Sequence, residues 1–379
     1  MVFFDNASTT KVYPEVNEML LYYNNIEYYN AGGLYKSATE ISNKISFARH
    51  NILKMLGGKI GDNFVFTSGA TEANNMVINF AKKFKKGKFL FSVGEHPSVY
   101  NTALEMRNQG FNVDFVKLDS SGKVDILDYE SKLTSDVVFV SIMHVSNETG
   151  AINPIKKLCE IAKKVNNNII FHSDGVQAVG KISVNLSQLG VDLYTISAHK
   201  IHGPKGVGGL YIKSGISIKP FIFGGGQENG LRSGTENVGG ILAFDRALQI
   251  SISHLDESYD KITLLKKQLL SNFENFDYKP KIVSSEDSSP YVVSFLYQNL
   301  RGETLLHKLD DCGFMVGNGS ACSSKRKGNR ILENMGYSDS EIEGALRVSF
   351  SFDNTIEEVD NFTRALNAVI IDYKKGTGR

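Results

Sequence analysis

The sequence predicts an α/β fold, with a large domain built on a mainly parallel sheet and a smaller α+β domain beside it. Three observations predict it. At 379 residues the chain exceeds what a single core usually supports, which argues for two domains. From about residue 60 to 215, short β-branched or aromatic runs alternate with helix-length amphipathic stretches, as crossover units between parallel strands require. After about residue 254 the texture changes to long helices separated by isolated strands.

The first strand expected is Phe64–Thr67, followed by the helical pattern Ala73–Phe84. Further strands are expected at Lys88–Ser92, Val113–Val116, Val137–Met143, Asn168–His172 and Asp192–Ile196, with an amphipathic helix over Ile155–Lys164. Gly206–Ile212 and Ile216–Phe223 read as two more strands, and Val238–Ser253 opens a long helix. The second texture holds a strand at Tyr291–Tyr297, a helix over Glu303–Cys312, a strand at Ala345–Phe350 and a closing helix over Ile356–Tyr373. The expected division assigns residues 14–253 to the large domain, and 1–13 with 254–379 to the small one. Ligands on such sheets gather at the carboxyl ends of the strands.

Composition narrows the function classes. Forty-two basic and 41 acidic side chains leave a net charge of +1, so no global field steers the chain onto nucleic acid or an anionic membrane. Glycine is frequent (35) and proline scarce (7); the glycines cluster in short runs, which suits tight turns and close backbone approaches to a ligand. Three cysteines, Cys159, Cys312 and Cys322, cannot all pair and form no C-x-x-C motif, which points to a reducing compartment. The N-terminus shows no basic-then-apolar leader. The longest apolar run, around Val137–Val145, is broken by Ser141 and His144 and is too short to span a bilayer. A soluble cytoplasmic protein is expected, with Cys159 and Cys312 packed in the core.

The strongest chemical feature is Ser197-Ala198-His199-Lys200, placed directly after a strand and ahead of Gly203-Pro-Lys-Gly-Val-Gly-Gly209. A lysine there has its amine partly desolvated, which depresses its pKa; a neutral amine forms an imine with an aldehyde cofactor. Taken alone, a loop lysine is more often a solvated surface charge. Thr67-Ser-Gly-Ala-Thr-Glu72 follows a strand and opens a helix, so the N–H groups of Ala70 and Thr71 suit a phosphate; an ordinary N-cap reads the same way. Asp174, after another strand, suits a protonated pyridine nitrogen, or else caps a loop. His96, in Glu95-His96-Pro97, suits stacking on a flat ring, although a lone histidine is more often structural. Each signal is weak, but together they set a phosphate cradle, a ring stack, a pyridine partner and an imine lysine after four strands of one sheet.

The chain also resembles the cysteine desulfurases of the class V aminotransferase group, within the fold-type I pyridoxal phosphate (PLP) enzymes. The resemblance rests on Asp5-Asn-Ala-Ser-Thr-Thr10, Phe66-Thr-Ser-Gly-Ala-Thr-Glu72, Glu95-His96, Ser146-Asn-Glu-Thr-Gly150, Asp174 with Gln177, and Ser197–Lys200. It continues through Gly224-Gly-Gly-Gln-Glu228, Arg232-Ser-Gly-Thr235, Gly319-Ser-Ala-Cys322 and Arg347. It implies that Lys200 links to PLP and later serves as base at the substrate Cα, that His96 stacks on the ring, and that Asp174 holds the pyridinium. Asn147 and Gln177 are implied near the ring hydroxyl, with Asn147 also touching substrate. Ala70, Thr71, Ser197 and His199 are implied at the phosphate. Thr235 is implied at the phosphate of a neighbouring subunit, hence a homodimer. Arg347 is the implied clamp for the carboxylate of L-cysteine.

The same resemblance implies that Cys322 takes the substrate's sulfur as a persulfide. L-alanine is released, and the sulfur passes to an acceptor protein for iron–sulfur assembly or tRNA thiolation. The setting of Cys322 agrees: small residues precede it and Lys325-Arg-Lys327 follows, a positive surrounding that favours thiolate. Two departures stand out. Asn30-Ala-Gly-Gly-Leu-Tyr35 replaces the family's Asn-Pro-Ser-Ser-x-His, and Asp5-Asn-Ala-Ser replaces the commoner Asn-Ala-Ala. Selenocysteine lyase or transamination of a small amino acid is the nearest rival reading. A metallohydrolase built from His172, Asp174, His199 and His202 is a rival of another class, and a catalytically silent scaffold-binding protein is a third; no metal is expected.

Overall fold

The structure is a computed structural model and describes residues 1–318 and 329–376. In chain order, β1 (Val2–Phe3) leads to helices α1 (Pro14–Asn25) and α2 (Lys36–Met55). Then come β2 (Asn63–Thr67), α3 (Ala70–Ala81), β3 (Lys88–Ser92), α4 (Pro97–Asn108), β4 (Asn112–Val116), α5 (Ile126–Lys132) and β5 (Val137–Ser141). The alternation continues through α6 (Ile155–Val165), β6 (Ile170–Asp174), α7 (Leu186–Leu189), β7 (Leu193–Ser197) and β8 (Gly208–Ile212). Beyond them lie α8 (Val238–Ser253), α9 (Leu255–Glu274), β9 (Lys281–Ile282), β10 (Val292–Leu296), α10 (Gly302–Asp311) and β11 (Phe314–Met315). The chain ends with α11 (Arg330–Asn334), α12 (Asp339–Ile342), β12 (Ala345–Ser349) and α13 (Ile356–Gly376).

Seven strands form the main sheet in the order β2-β8-β7-β6-β5-β3-β4. Pairing is parallel from β7 to β4, while β8 runs antiparallel to both β7 and β2. Because β8 reverses direction between them, β2 runs with the parallel set. The carboxyl ends of β2, β3, β5, β6 and β7 therefore share one edge of the sheet. The strands read as continuous apolar runs because helices cover both faces: Phe89, Phe91, Phe139 and Phe171 are fully buried. In α2 the buried residues Ala38, Ile41, Ile45, Ala48 and Ile52 recur at three- and four-residue steps, which places them on one stripe against that core.

A second sheet, β12-β10-β9, is antiparallel, and β1 pairs in parallel with β11. Its core gathers α9, α10 and α13 around Phe295, Leu346 and Phe362. Phe4 joins this core, with its ring edge-on to Phe350 and Phe362 at 5.5 Å each. The N-terminal segment thus packs with the C-terminal part of the chain while its next residues run across the main sheet's carboxyl edge.

Three expectations are corrected. Ile216–Phe223 forms no strand: Pro220 offers no N–H to a ladder, a glycine run follows, and Phe223 is 80% exposed. The strand expected at Asn168–His172 lies two residues later, at Ile170–Asp174, so Asp174 is a strand residue and not a loop residue. Cys312 is exposed, because α10 ends at the surface and turns there, while Cys159 is buried as expected, with Sγ 3.3 Å from the Gly190 carbonyl. No helix among the described residues is long and apolar enough to cross a membrane.

Candidate active site

At the carboxyl edge of the main sheet lies a cavity of about 1310 Å³. Each strand end delivers one part of its wall: Ser68–Glu72 after β2, His96 after β3, Asn147 and Glu148 after β5, Asp174 and Gln177 at β6, and Ser197, His199 and Lys200 at β7. The N-terminal segment contributes Asp5 and Ala7–Thr9, and the second sheet contributes Arg347.

One end of the cavity is built for an anion. Helix α3 starts at Gly69, whose φ is +153° and whose missing side chain leaves the first turn without a side-chain cap. The first-turn N–H groups of a helix have no intrahelical acceptors, and their dipoles favour negative charge. The Ser68 N–H is taken by Glu72 Oε2 at 2.8 Å and the Gly69 N–H by Thr67 Oγ1 at 3.4 Å, and Arg232 grips the Glu72 carboxylate at 2.9 and 3.2 Å. Strand β8 passes beneath this turn so closely that a Cβ on Gly208 would lie 2.8 Å from the Gly69 Cα and 2.7 Å from the Ile196 carbonyl oxygen. His199 Nδ1 lies 3.2 Å from Thr9 Oγ1. Burial, then the charges of Lys200, Lys205 and Lys181, push its pKa down to about 4, so it meets an anion as a neutral imidazole.

The other end holds a buried carboxyl. Asp174 accepts from Asn74 Nδ2 at 2.8 Å and from the Val176 N–H at 3.0 Å, and is 3% exposed. Asn74 also donates to Ser98 Oγ at 2.9 Å, which sits 2.8 Å from His96 Nδ1. His96 is the N-cap of α4, and the Ser98 N–H donates to its Nδ1 at 3.2 Å. With Nδ1 accepting, the proton of the neutral ring sits on Nε2. Burial lowers the His96 pKa, opposed by Asp174. Glu95, fully buried, donates no second negative charge near neutrality. Burial, then repulsion from Asp174, pushes its pKa up to about 8.

Between the two ends, Lys200 Nζ donates to the Ala7 carbonyl at 2.7 Å and to the Ser8 carbonyl at 2.5 Å. Gln177 Nε2 donates to the same Ala7 carbonyl at 2.8 Å. Arg347 projects from β12, donates from one terminal nitrogen to the Asn147 carbonyl at 2.8 Å and pairs the other with Asp5 at 2.6 Å. Its Nε is buried with no hydrogen-bond partner among the described residues.

The structure thus brings Ala70, Thr71, His96, Asn147, Asp174, Gln177, Ser197, His199, Lys200 and Arg347 to one cavity. Thr235 is exposed and outside this lining. Cys322 lies outside the described residues. Asn74, Glu95, Glu148, Lys181 and the Asp5–Arg347 pair carried no role in the sequence reading. Glu148 is half-buried and bonded to Asn329 at 2.6 Å, and such a contact has no signature in residue type. The zinc alternative loses its ligands: both His172 nitrogens are hydrogen-bonded, to Ser141 and Thr195. His202 bonds the Lys11 carbonyl and stacks on Tyr13.

The aminotransferase class-V family profile matches residues 2–362. "Cysteine desulfurase IscS 1" of Archaeoglobus fulgidus is 36% identical over 374 residues, covering 98% of this chain and 97% of its own. A solved "NifS-like protein" superposes with a TM-score of 0.91 at 35% identity, covering 97% of this chain and 99% of that one. A structure described as "SspA in complex with cysteine" has a TM-score of 0.82 at 26% identity, over 94% and 100% of the two chains. A family profile across nearly the whole chain, a cysteine desulfurase relative of matching length and a shared fold agree: this chain belongs to the class-V aminotransferase family, among its cysteine desulfurases.

Proposed function

We propose that this chain removes sulfur from L-cysteine with pyridoxal phosphate as cofactor, holds the sulfur on Cys322, and releases L-alanine. The observation that carries the reading is the meeting of the Lys200 amine, the Asp174 carboxyl and the Arg347 guanidinium with a helix start that has no side-chain cap, all in one cavity. The donor set fits the cofactor: N–H groups of Ala70 and Thr71 with Ser197 and His199 for a phosphate, Asp174 for a pyridine nitrogen, and the His96 ring for a flat face. Bound pyridoxal phosphate supplies an aldehyde for the lysine amine and a ring that takes up the electron pair left at the substrate Cα.

The chain's own groups do the rest. Arg347 takes the substrate carboxylate, with Asn147 beside it. Lys200 moves the proton at Cα. His96, its proton on Nε2, would exchange a proton with the bound substrate. Asp174 keeps the pyridine nitrogen protonated, held in place by Asn74 and the Val176 N–H. The Cys322 thiolate attacks the substrate sulfur: a sulfur–sulfur bond forms, the carbon–sulfur bond breaks, and its electron pair stays on the three-carbon fragment, which gains protons to become alanine. The persulfide then passes to an acceptor protein, an iron–sulfur scaffold or a tRNA-thiolation enzyme. The solved relative described with cysteine supports the substrate.

The same reading includes a homodimer in which Thr235 serves the neighbouring copy's phosphate; its exposure away from its own cavity supports this. It also includes a cytoplasmic, reducing setting, and a division into residues 14–253 and 1–13 with 254–379. A second apolar core under β10 and β12 supports the division, although Leu296 and Ala345 of those strands join the main core. The test is alanine and sulfur release from L-cysteine. Cys322→Ser is expected to keep the bound chromophore and lose persulfide transfer; undiminished desulfuration in that variant contradicts the reading and favours a lyase or aminotransferase on the same scaffold.

A further inference from the structure

Lys181 is a buried charge beside the cavity's Gln177 that the reaction above leaves unused. It is 6% exposed, and among the described residues no carboxylate pairs with it. A lysine almost never stands buried without such a partner unless the position has a use for its amine. Its Nζ donates to Gln177 Oε1 at 2.5 Å, and its other near neighbour is the Tyr291 ring, 5.9 Å away. The charged and titratable groups that act on it or feel it are Lys200, Arg347, His199 and His202. Burial, then Lys200 and Arg347, push its own pKa down to about 7.

The geometry fixes what Gln177 presents to the cavity. An amide has one acceptor oxygen and two N–H donors. Here Oε1 is held by Lys181 and one N–H is held by the Ala7 carbonyl. The reverse flip is disfavoured at Ala7, where it would set the amide oxygen against a carbonyl oxygen that can only accept. Only the second N–H remains for the cavity that Gln177 lines. The Ala7 carbonyl is shared with Lys200 Nζ, so Lys181, Gln177, Ala7 and Lys200 form one hydrogen-bonded chain.

We infer that Lys181 is a positioning residue: by holding Gln177 Oε1 it makes Gln177 a fixed N–H donor toward an oxygen acceptor on the cofactor, the ring hydroxyl oxygen of pyridoxal phosphate. Without that amine the Ala7 carbonyl alone orients the Gln177 amide, and the N–H turned toward the acceptor is held less firmly. This deepens the cofactor reading and rests on it.

The test compares binding of pyridoxal phosphate with that of its 3-deoxy analogue, which lacks only the ring hydroxyl, in wild type and Lys181→Met; Lys181→Leu substitutes if the first variant fails to fold. Dissociation constants are read from absorbance of the apo-protein titrated with each compound. In wild type, loss of the hydroxyl is expected to weaken binding on the order of tenfold, the scale of a hydrogen bond to a charged acceptor. In Lys181→Met the same change is expected to cost at least fivefold less, while Lys181→Arg keeps the wild-type factor. A merely structural lysine would weaken both compounds alike; a penalty in Lys181→Met within less than fivefold of wild type overturns the inference. Wild type that binds neither compound overturns the cofactor reading itself, a result told apart from the first by its occurring before any substitution.

Discussion

Lys200 and Arg347 line the same cavity, and the role proposed for each gives a residue-scale prediction. Lys200→Ala leaves no amine for the aldehyde, so the purified variant is expected to lack the absorption band at the edge of the visible that wild type shows. Arg347→Ala removes a buried, hydrogen-bonded charge from the substrate's carboxylate, a loss on the order of 2–5 kcal/mol. The KM for L-cysteine should rise roughly 30-fold or more, with the cofactor still bound; an unchanged KM contradicts the clamp. Glu95 gives a stability prediction. Its folded pKa, raised to about 8, lies above the ordinary carboxyl value, so the native state binds a proton that the unfolded state has lost. Its contribution is therefore fullest below the unfolded pKa and falls as pH rises toward 8. Glu95→Gln is expected to flatten the decline of the urea midpoint between roughly pH 5 and 8. Arg347 was implied by the resemblance alone, whereas the places of Lys200 and Asp174 at the cavity were legible in the sequence because residue type, strand position and motif agreed. Lys181 and Glu95 were not, because burial depends on contacts from distant segments; the exposed Cys312 was misjudged for the same reason.

The turn between β2 and α3 shows how an element makes chemistry out of backbone alone. Gly69 supplies the positive φ, and Gly208 on β8 lets a neighbouring strand pass underneath. In Gly208→Ala the new Cβ meets backbone on both sides, at 2.7 and 2.8 Å, and backbone cannot rotate away. The substitution is expected to cost about 1–3 kcal/mol of stability and to weaken cofactor binding at least tenfold by displacing the Ala70 and Thr71 N–H groups. Equilibrium unfolding and cofactor titration check the two effects, and wild-type affinity contradicts the proposed cradle. The parallel strands were readable because burial on both faces leaves an unbroken apolar run. The two-residue strands β1, β9 and β11 were not, since so short a pairing is decided by the partner strand. Ile216–Phe223 has strand-like composition, but Pro220 and the glycines after it decide its conformation.

At the scale of the whole molecule, the cavity is closed by parts of the chain far apart in sequence. Arg347 reaches Asp5, 342 positions away, and Asn147, 200 positions away, so the substrate's clamp depends on how the N-terminal segment and second sheet pack over the main one. No local pattern announces that arrangement; the motifs announce it only through the resemblance. The central claim is that one cavity joins a cofactor on Lys200 to sulfur capture by Cys322. It is tested most directly by mass spectrometry of the protein reconstituted with pyridoxal phosphate and given L-cysteine. The account predicts alanine in solution and one added sulfur on the peptide bearing Cys322, both absent in Lys200→Ala. Alanine formed with no sulfur on Cys322, or protein that takes up no cofactor, would contradict it.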